Sequence, residues 1–365
     1  MGSIKNWVEK SGYSIYNEPK EKYQDDDYAI ITDESMMLGS EKLFLTLGVK
    51  ARKDNDGALS FQETDVLDIS VKRSWNAEKI EGVFTDIENK AKKAPCYVLS
   101  DNACTISKAV KNQGYEHVRD VGHTLAMFIE RKYKKNGPFV AYTKAIAGVK
   151  FRENMTPASY LLPPKQRVIA RFMNIAPSIQ WSKQILKCFD KLTEHEQTVF
   201  SFIIEHQQII EELNEIILTC SDISACLKNN GLSYKTIKDC QEMVKSMQAS
   251  KIQGVVDVSR CFEQYLMELK NKLPDKDTIW HVSSDIIESC FGNYKSRKSC
   301  NHLDGVTRHV LILPILTRLD PKTRMININY KKALEQNLLS DLSIWSVDNL
   351  SDSMAVKRRK ILKAA

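Results

Sequence analysis

Apolar and polar positions alternate differently in successive parts of the chain. From Tyr28 to about Lys132, short apolar runs are separated by polar breaks, a pattern typical of strands. Two stretches in this region, beginning at Asn76 and Ala103, instead repeat apolar residues every three or four positions, which is the spacing of one helix face. The runs that predict strands are YAIITDES, EKLFLTLGVKARK, TDVLDISV, CYVLSD and EHVRDVGH. The predicted order of elements is therefore β-β-β-α-β-α-β.

The rest of the chain is predicted to be mostly helical. Between about Lys150 and Leu273, apolar residues repeat at three and four without a strand pattern. A further region opens at Trp280, contains a helix that begins near Asp285, and ends in the basic run VKRRKILK. We therefore predict an α/β fold in which a large α-helical insertion interrupts a mixed sheet with helices. The predicted parts are an N-terminal segment at 1–27, a core at 28–149 and 280–330, the insertion at 150–279, and a helical, basic tail at 331–365.

Composition and charge are those of a folded globular protein with a bias toward anionic partners. The 365 residues can hold one large domain with an insertion or two domains, and 42% of them are hydrophobic and 27% charged. The net charge of +7 favours polyanionic partners. The nine cysteines form no Cys-x-x-Cys pair, and no apolar run approaches the roughly 18 residues of a membrane span. These features predict reduced cysteines, a cytoplasmic location and no membrane partner.

Two aspartates follow predicted strands at positions where they could share a cation. Asp33 ends the first strand and Asp101 ends the fourth. The order of elements resembles a ribonuclease-H-like sheet, in which these two strands lie side by side. Phosphoryl transfer from DNA uses two divalent cations about 3.5 to 4 Å apart, and magnesium prefers carboxylate oxygen. Taken singly, either aspartate is more typical of a turn or a helix N-cap, but the pair predicts a metal site.

A third acid is predicted on the helix that begins near Asp285. Glu288 shares a face of this helix with Lys295, two turns further on, where an ammonium group could hold a DNA phosphate beside the metals. Asp285 and Glu288 are also spaced as a capping box, which would give both of them a purely structural role. The sequence leaves open whether Glu288 or Asp285 is the third acid.

This set of residues resembles the DDE transposase family. The likeness lies in an early aspartate, a second aspartate in the strand end SDNA, a long insertion, and a glutamate on a later helix. Asp120 and His123 match an Asp-x-x-His element that follows the second aspartate in several transposase superfamilies, including the hAT group. A helical insertion is also more similar to the hAT group than to enzymes whose insertion is made of strands. The alternative for His123 is a capping or packing role under the following helix.

The chain also differs from particular members of the family. Glu288 and Lys295 are spaced as at the end of the tyrosine-arginine-glutamate-lysine signature of bacterial cut-and-paste elements, but His281 and Ser284 replace its tyrosine and arginine. Only some 27 residues precede the first strand, too few for a separate DNA-binding domain. We expect this segment to be the remnant of such a domain in a truncated copy, or the element ends to be recognised through the insertion and the basic tail.

The resemblance implies cofactors, partners and a reaction. Asp33, Asp101 and Glu288 would bind two Mg²⁺ or Mn²⁺ ions. The enzyme would cut at transposon terminal inverted repeats and join the freed 3′-hydroxyl to target DNA, as a homodimer or higher oligomer that is nucleoid-associated if the source is bacterial. Contacts to DNA phosphates are expected from Lys295, Arg297 and Lys298. Trp280, or with less support Trp181, would stack on a flipped base, although a tryptophan at a helix boundary is more often a core residue.

Other functions fit the same residues. A truncated, catalytically idle remnant would bind the terminal repeats as a regulator without cutting them. A nuclease or resolvase on the same fold would cut without joining. A helical interaction protein whose acids are helix caps would show no salt-dependent DNA binding.

Overall fold

The structure is a computed structural model that describes residues 2–35, 37–51, 57–165, 172, 174–297, 305–320, 323, 328–352 and 354–364. Within these residues the protein is mixed α/β, with one five-stranded sheet and fifteen α-helices. The chain forms two compact units. The first comprises Met1–Asp120 and Ile279–Ala365, and the second comprises Val121–Thr278.

The sheet lies in the first unit. Its strands are β1 (Tyr28–Glu34), β2 (Lys42–Lys50), β3 (Thr64–Lys72), β4 (Tyr97–Ser100) and β5 (His117–Arg119). They lie in the order β3-β2-β1-β4-β5. β2 runs antiparallel to β1 and β3, whereas β4 is parallel to β1 and β5 is parallel to β4. All five strands occur where the apolar runs predict them.

Two helices connect the parallel strands, as the sequence predicts. α2 (Ala77–Ala91) joins β3 to β4, and α3 (Cys104–Asn112) joins β4 to β5. Asn76 caps α2 by accepting a hydrogen bond from the Lys79 amide at 3.0 Å. The helices and the sheet share one apolar core, which includes Ile30, Phe44, Leu67, Ile80, Phe84, Val98, Ile106 and Val110. Residues on both faces of β1 are buried, which explains why its sequence is a continuous apolar run.

The described residues of the second unit are helical, with no strand among them. Its helices are α4 (Val121–Tyr133), α5 (Gly137–Arg152), α6 (Ala176–Cys188), α7 (Glu194–Glu205), α8 (Gln207–Asn230), α9 (Tyr234–Gln248) and α10 (Gln253–Lys272). The helical character predicted for 150–273 is thus confirmed for the residues that the structure describes. The compact unit begins at Val121. The predicted insertion begins at residue 150, a position within α5.

The remaining helices belong to the first unit. They are α1 (Gly2–Tyr16), α11 (Asp285–Arg297), α12 (Ile312–Leu316), α13 (Tyr330–Gln336), α14 (Leu339–Asn349) and α15 (Met354–Ala364). α1 packs against α12, α13 and α14, so most of the N-terminal segment is an integral part of this unit. Gly12 permits a close approach there, because a Cβ at this position would lie 1.8 Å from the carbonyl oxygen of Leu311. α11 contacts β1.

Among the described helices, none combines the length and the apolar composition that crossing a membrane would require.

Candidate catalytic site

Asp33 and Asp101 lie at the C-terminal ends of two neighbouring strands: Asp33 is the penultimate residue of β1, and Asp101 follows the last residue of β4. β1 and β4 are parallel, and Ile31 lies opposite Leu99. Extending this register by two residues places Asp33 opposite Asp101. Neighbouring strands lie about 4.8 Å apart, so the two carboxyl groups start from backbone positions that allow both to reach one small cation. Both residues are half-buried.

Each aspartate also makes a local hydrogen bond through Oδ1. Asp33 Oδ1 accepts from the Glu34 amide at 2.7 Å, and Asp101 Oδ1 accepts from the Ala103 amide at 2.9 Å. The second bond closes a turn immediately before α3, which is the kind of local role that the sequence suggests for Asp101. Because this bond uses one of its two oxygens, it orients the Asp101 carboxyl group and is compatible with metal binding through the other.

Lys295 connects the strand acids to α11. It is half-buried, and its ammonium group lies 5.6 Å from the ring centre of Phe291 on the same helix. Burial lowers the pKa of Lys295 below its usual range, and the negative charges of Asp33 and Glu288 oppose this shift. One ammonium group therefore lies within electrostatic range of a strand acid and of the helix acid. Together with the contact of α11 with β1, this effect associates Glu288 with Asp33.

The start of α11 bears on the choice between Asp285 and Glu288. In a capping box, the glutamate side chain would accept a hydrogen bond from the amide of Asp285. In the structure that amide donates to Ser283 Oγ at 3.4 Å, and Asp285 is already the first helical residue. Both acids are exposed. The Asp285 amide thus has a partner other than Glu288, and the charge of Glu288 acts on Lys295.

The residues that precede α11 are held against β4. The ring of Trp280 stacks on that of Tyr97, with ring centres 4.4 Å apart, and the His281 amide donates to Tyr97 Oη at 2.7 Å. Trp280 is only 6% exposed. Its ring is therefore covered by protein, which favours the core role over stacking on a DNA base.

Asp120 is directed at the same segment. It is 2% exposed, and its Oδ2 accepts hydrogen bonds from the amide and the hydroxyl of Ser284, at 2.7 and 3.0 Å. Ser284 immediately precedes α11. The sequence singles out Asp120 only as part of a motif and Ser284 only as a departure from one, so their direct contact could not be read from either pattern.

The other predicted site residues are placed less informatively. His123 lies half-buried in the first turn of α4, in the second unit. In the same unit, Trp181 donates from Nε1 to the Leu161 carbonyl at 2.8 Å, a structural contact. Arg297 is exposed at the end of α11 and binds Asn293 Oδ1 at 2.7 Å. Lys298 lies outside the described residues.

The donor set suits a hard divalent cation, because all three candidate ligands offer carboxylate oxygens. The two aspartates fit a shared ion by register. Glu288 is linked to Asp33 through the effect of both charges on Lys295. In the part of the chain that the structure describes, no three His, Cys, Asp or Glu side chains are grouped closely enough to hold a metal ion. The carboxylates therefore form a pair with a third member nearby, and not a closed cage.

Comparison with known proteins adds no assignment to this geometry. No protein-family model matches the chain, and no curated protein matches it. A functional conclusion must therefore come from the residues themselves.

Proposed function

We propose that this chain is the catalytic part of a DDE-type DNA transposase with a ribonuclease-H-like core. The strand order β3-β2-β1-β4-β5, with β2 antiparallel to its neighbours, supports this fold assignment because it brings the first and fourth strands together. The observation that carries the function is the register of Asp33 and Asp101 at one edge of these strands. The packing of α11 on β1, with Glu288 and Lys295 near Asp33, supports the third position.

In this proposal Asp33, Asp101 and Glu288 hold two Mg²⁺ or Mn²⁺ ions. When bound, such ions activate the attacking oxygen and stabilise the leaving oxygen of a phosphodiester. The residues of the chain supply position and charge. The turn at Asp101 holds one of its oxygens toward the backbone and leaves the other for ligation. The packing of α11 on β1, and the effect of both Asp33 and Glu288 on the pKa of Lys295, support Glu288 as the third ligand.

Basic residues on and after α11 would hold the DNA backbone. Lys295 is half-buried beside the acids, which suits a contact to the phosphate nearest the cut, whereas the exposed Arg297 would contact a phosphate further along. Lys298 is assigned the same role from the sequence alone. The basic residues of α15, Lys357, Arg358, Arg359, Lys360 and Lys363, add to a surface suited to a polyanion.

The proposed reaction has two steps at this one site. Water attacks the phosphorus at the element end, and the bond from phosphorus to the 3′ oxygen breaks to leave a free 3′-hydroxyl. That hydroxyl then attacks a phosphodiester of the target, and the displaced target oxygen leaves as a new 3′-hydroxyl. We propose a homodimer or higher oligomer as the active form, because two element ends must be joined to one target.

The direct test is the substitution Asp101→Asn in the full chain. We expect it to abolish Mg²⁺- or Mn²⁺-dependent cleavage of DNA that carries the inverted repeats flanking the gene, because the amide is a poor ligand for a hard cation. DNA binding should be largely retained. The matched control is Asp86→Asn, which removes an exposed carboxylate on α2. Unchanged cleavage by Asp101→Asn would refute the site.

The same assay separates the competing functions. Specific binding of the repeats by the wild-type chain without any cleavage would favour an idle copy that acts as a DNA-binding regulator. Cleavage without joining to a target would favour a nuclease or resolvase on the same fold. An absence of salt-dependent DNA binding would favour a helical interaction protein.

A further inference from the structure

Three contacts hold the segment before α11 against β4 and against the residue that follows β5. Two of them involve Tyr97 of β4, which stacks on Trp280 and accepts a hydrogen bond from the His281 amide. The third is the pair of hydrogen bonds from Ser284 to Asp120. All of these residues lie in the first unit, and all are less than a tenth exposed. The segment from Trp280 to Ser284 is therefore anchored at both of its ends.

Asp120 is itself fixed to the neighbourhood of Asp101. Its amide donates to the carbonyl oxygen of Ser100 at 2.8 Å, and Ser100 immediately precedes Asp101. On the other side, the carbonyl oxygen of Ser284 accepts from the Ile287 amide at 2.9 Å, in the first turn of α11. A short chain of hydrogen bonds thus runs from the end of β4, through Asp120 and Ser284, to the turn that carries Glu288.

We propose that Asp120 is a positioning residue, whose carboxylate holds Ser284 and thereby sets where Glu288 stands relative to Asp101. This inference rests on the proposed function, because it takes Glu288 as the third acid. Asp120 touches neither substrate nor metal in this role. It acts through the start of α11.

The chemistry of the contact suits this role. A carboxylate that accepts from a backbone amide and a hydroxyl makes stronger hydrogen bonds than a neutral acceptor would. A buried carboxylate is also costly without such partners, so Asp120 and Ser284 hold each other in one arrangement. An amide at the start of a helix is a favourable place for a negative charge, because the first helical amides lack partners within the helix. A displacement of about 1 Å at a catalytic group can reduce a rate roughly a hundredfold, so an anchor of this kind matters for catalysis.

The experiment compares Asp120→Leu and Asp120→Asn with the control Asp65→Asn in the full chain. Asn keeps an oxygen that can accept from Ser284, whereas Leu keeps only the approximate volume. Asp65 is another hydrogen-bonded carboxylate of the first unit, which accepts from Tyr23 Oη at 2.6 Å and lies 2.5 Å from Lys22 Nζ. Hydrogen exchange of the amides in α11 and α3 is measured without DNA. Mn²⁺ binding without DNA and the Mn²⁺ dependence of cleavage are measured alongside.

We expect Asp120→Leu to speed exchange in the first two turns of α11 by about tenfold or more, with little change in α3. Mn²⁺ binding without DNA should weaken by about tenfold, and the Mn²⁺ concentration for half-maximal cleavage should rise similarly, because the third ligand is misplaced. DNA affinity should stay within about twofold, since Asp120 contacts no phosphate. Asp120→Asn should give intermediate values, and Asp65→Asn should leave α11 exchange and Mn²⁺ binding as in the wild type.

Several results would overturn the proposal. The first is that the α11 amides of Asp120→Leu exchange at the wild-type rate. The second is that they exchange faster while Mn²⁺ binding is unchanged. If Asp120→Leu does not fold, Asp120→Asn decides, and an equal rise of exchange in α2, α3 and α11 would reduce Asp120 to a structural residue. Failure of the proposed function is a separate result, because it would appear as absence of cleavage by the wild type while exchange and Mn²⁺ binding still report on Asp120.

Discussion

The two halves of the candidate site are held in place by different forces. Asp33 and Asp101 are positioned by the backbone pairing of β1 and β4, two buried strands whose register leaves little freedom. Glu288 lies on a helix that is positioned by the side chains of Asp120 and Trp280 and by the contact of α11 with β1. The positions of the two aspartates are therefore set by the sheet itself, whereas the position of Glu288 depends on a few side-chain contacts. Substitutions in the two halves should therefore reduce cleavage for different reasons.

The largest expected effect concerns the acids themselves. We expect Asp33→Asn and Glu288→Gln each to reduce metal-dependent cleavage by roughly a thousandfold or more. Each would remove a charged ligand of the proposed metal ions, which stabilise the transition state by several kcal/mol. Cleavage of end-labelled repeat DNA in Mn²⁺ measures this loss. The folded state should be unaffected by Glu288→Gln, since this residue is exposed.

The matched control for the helix half is Asp285→Asn, an equally exposed acid in the same turn of α11. It should retain cleavage within a few-fold of the wild type, because the proposal assigns the third ligand to Glu288, whose charge acts on Lys295. If the two variants exchange these results, Asp285 is the third acid and the assignment of Glu288 is wrong.

The strand half of the site is also the part that the sequence predicts best. Short apolar runs identify the strands, and the resemblance of their order to a ribonuclease-H-like sheet implies that the first and fourth are neighbours. The pairing of Ile31 with Leu99 then places Asp33 opposite Asp101 without any reference to side-chain packing. The element order and the helical character of the second unit follow from local periodicity in the same way.

The helix half could not be predicted to the same extent. The contact of Asp120 with Ser284 joins residues 164 positions apart, and no local pattern encodes such a pairing. Trp280 shows the limit most clearly, since a tryptophan at a helix boundary fits both a core and a base-stacking role until its partner Tyr97 is known. The start of the helical unit at Val121 is similar, because the sequence predicts a helix after His123 but not the unit in which that helix packs.

Substitutions of Trp280 can distinguish a packing role of its ring from a contact with DNA. Trp280→Ala should lower the free energy of unfolding by about 3 to 5 kcal/mol, because it removes a buried ring and its stacking on Tyr97. Chemical denaturation of the full chain measures this loss, and Trp280→Phe should recover much of it. If the ring instead stacked on a base, Trp280→Phe would keep stability while Trp280→Ala would weaken DNA binding in the folded protein. The packing role predicts unchanged DNA binding by every variant that folds.

The smallest expected effect tests Lys295, which lies where the two halves meet. We expect Lys295→Met to reduce cleavage by about ten- to a hundredfold and to lower the slope of DNA affinity against salt by about one, as for the loss of one phosphate contact. Arg297→Met is the control on the same helix. It removes an exposed charge that binds Asn293, and its effect on cleavage should be about threefold or less.

Metal binding without DNA gives Lys295 a second and opposite signature. Its ammonium group lies near Asp33 and Glu288, where it repels any cation that those carboxylates would bind. Lys295→Met should therefore bind Mn²⁺ a few-fold more tightly than the wild type while cleaving DNA more slowly. If Lys295→Met weakened both Mn²⁺ binding and cleavage, Lys295 would instead hold the acids in place and would not contact the phosphate. Tighter metal binding with slower cleavage would show that Lys295 interacts with the carboxylates when DNA is absent and with the DNA phosphate during cleavage.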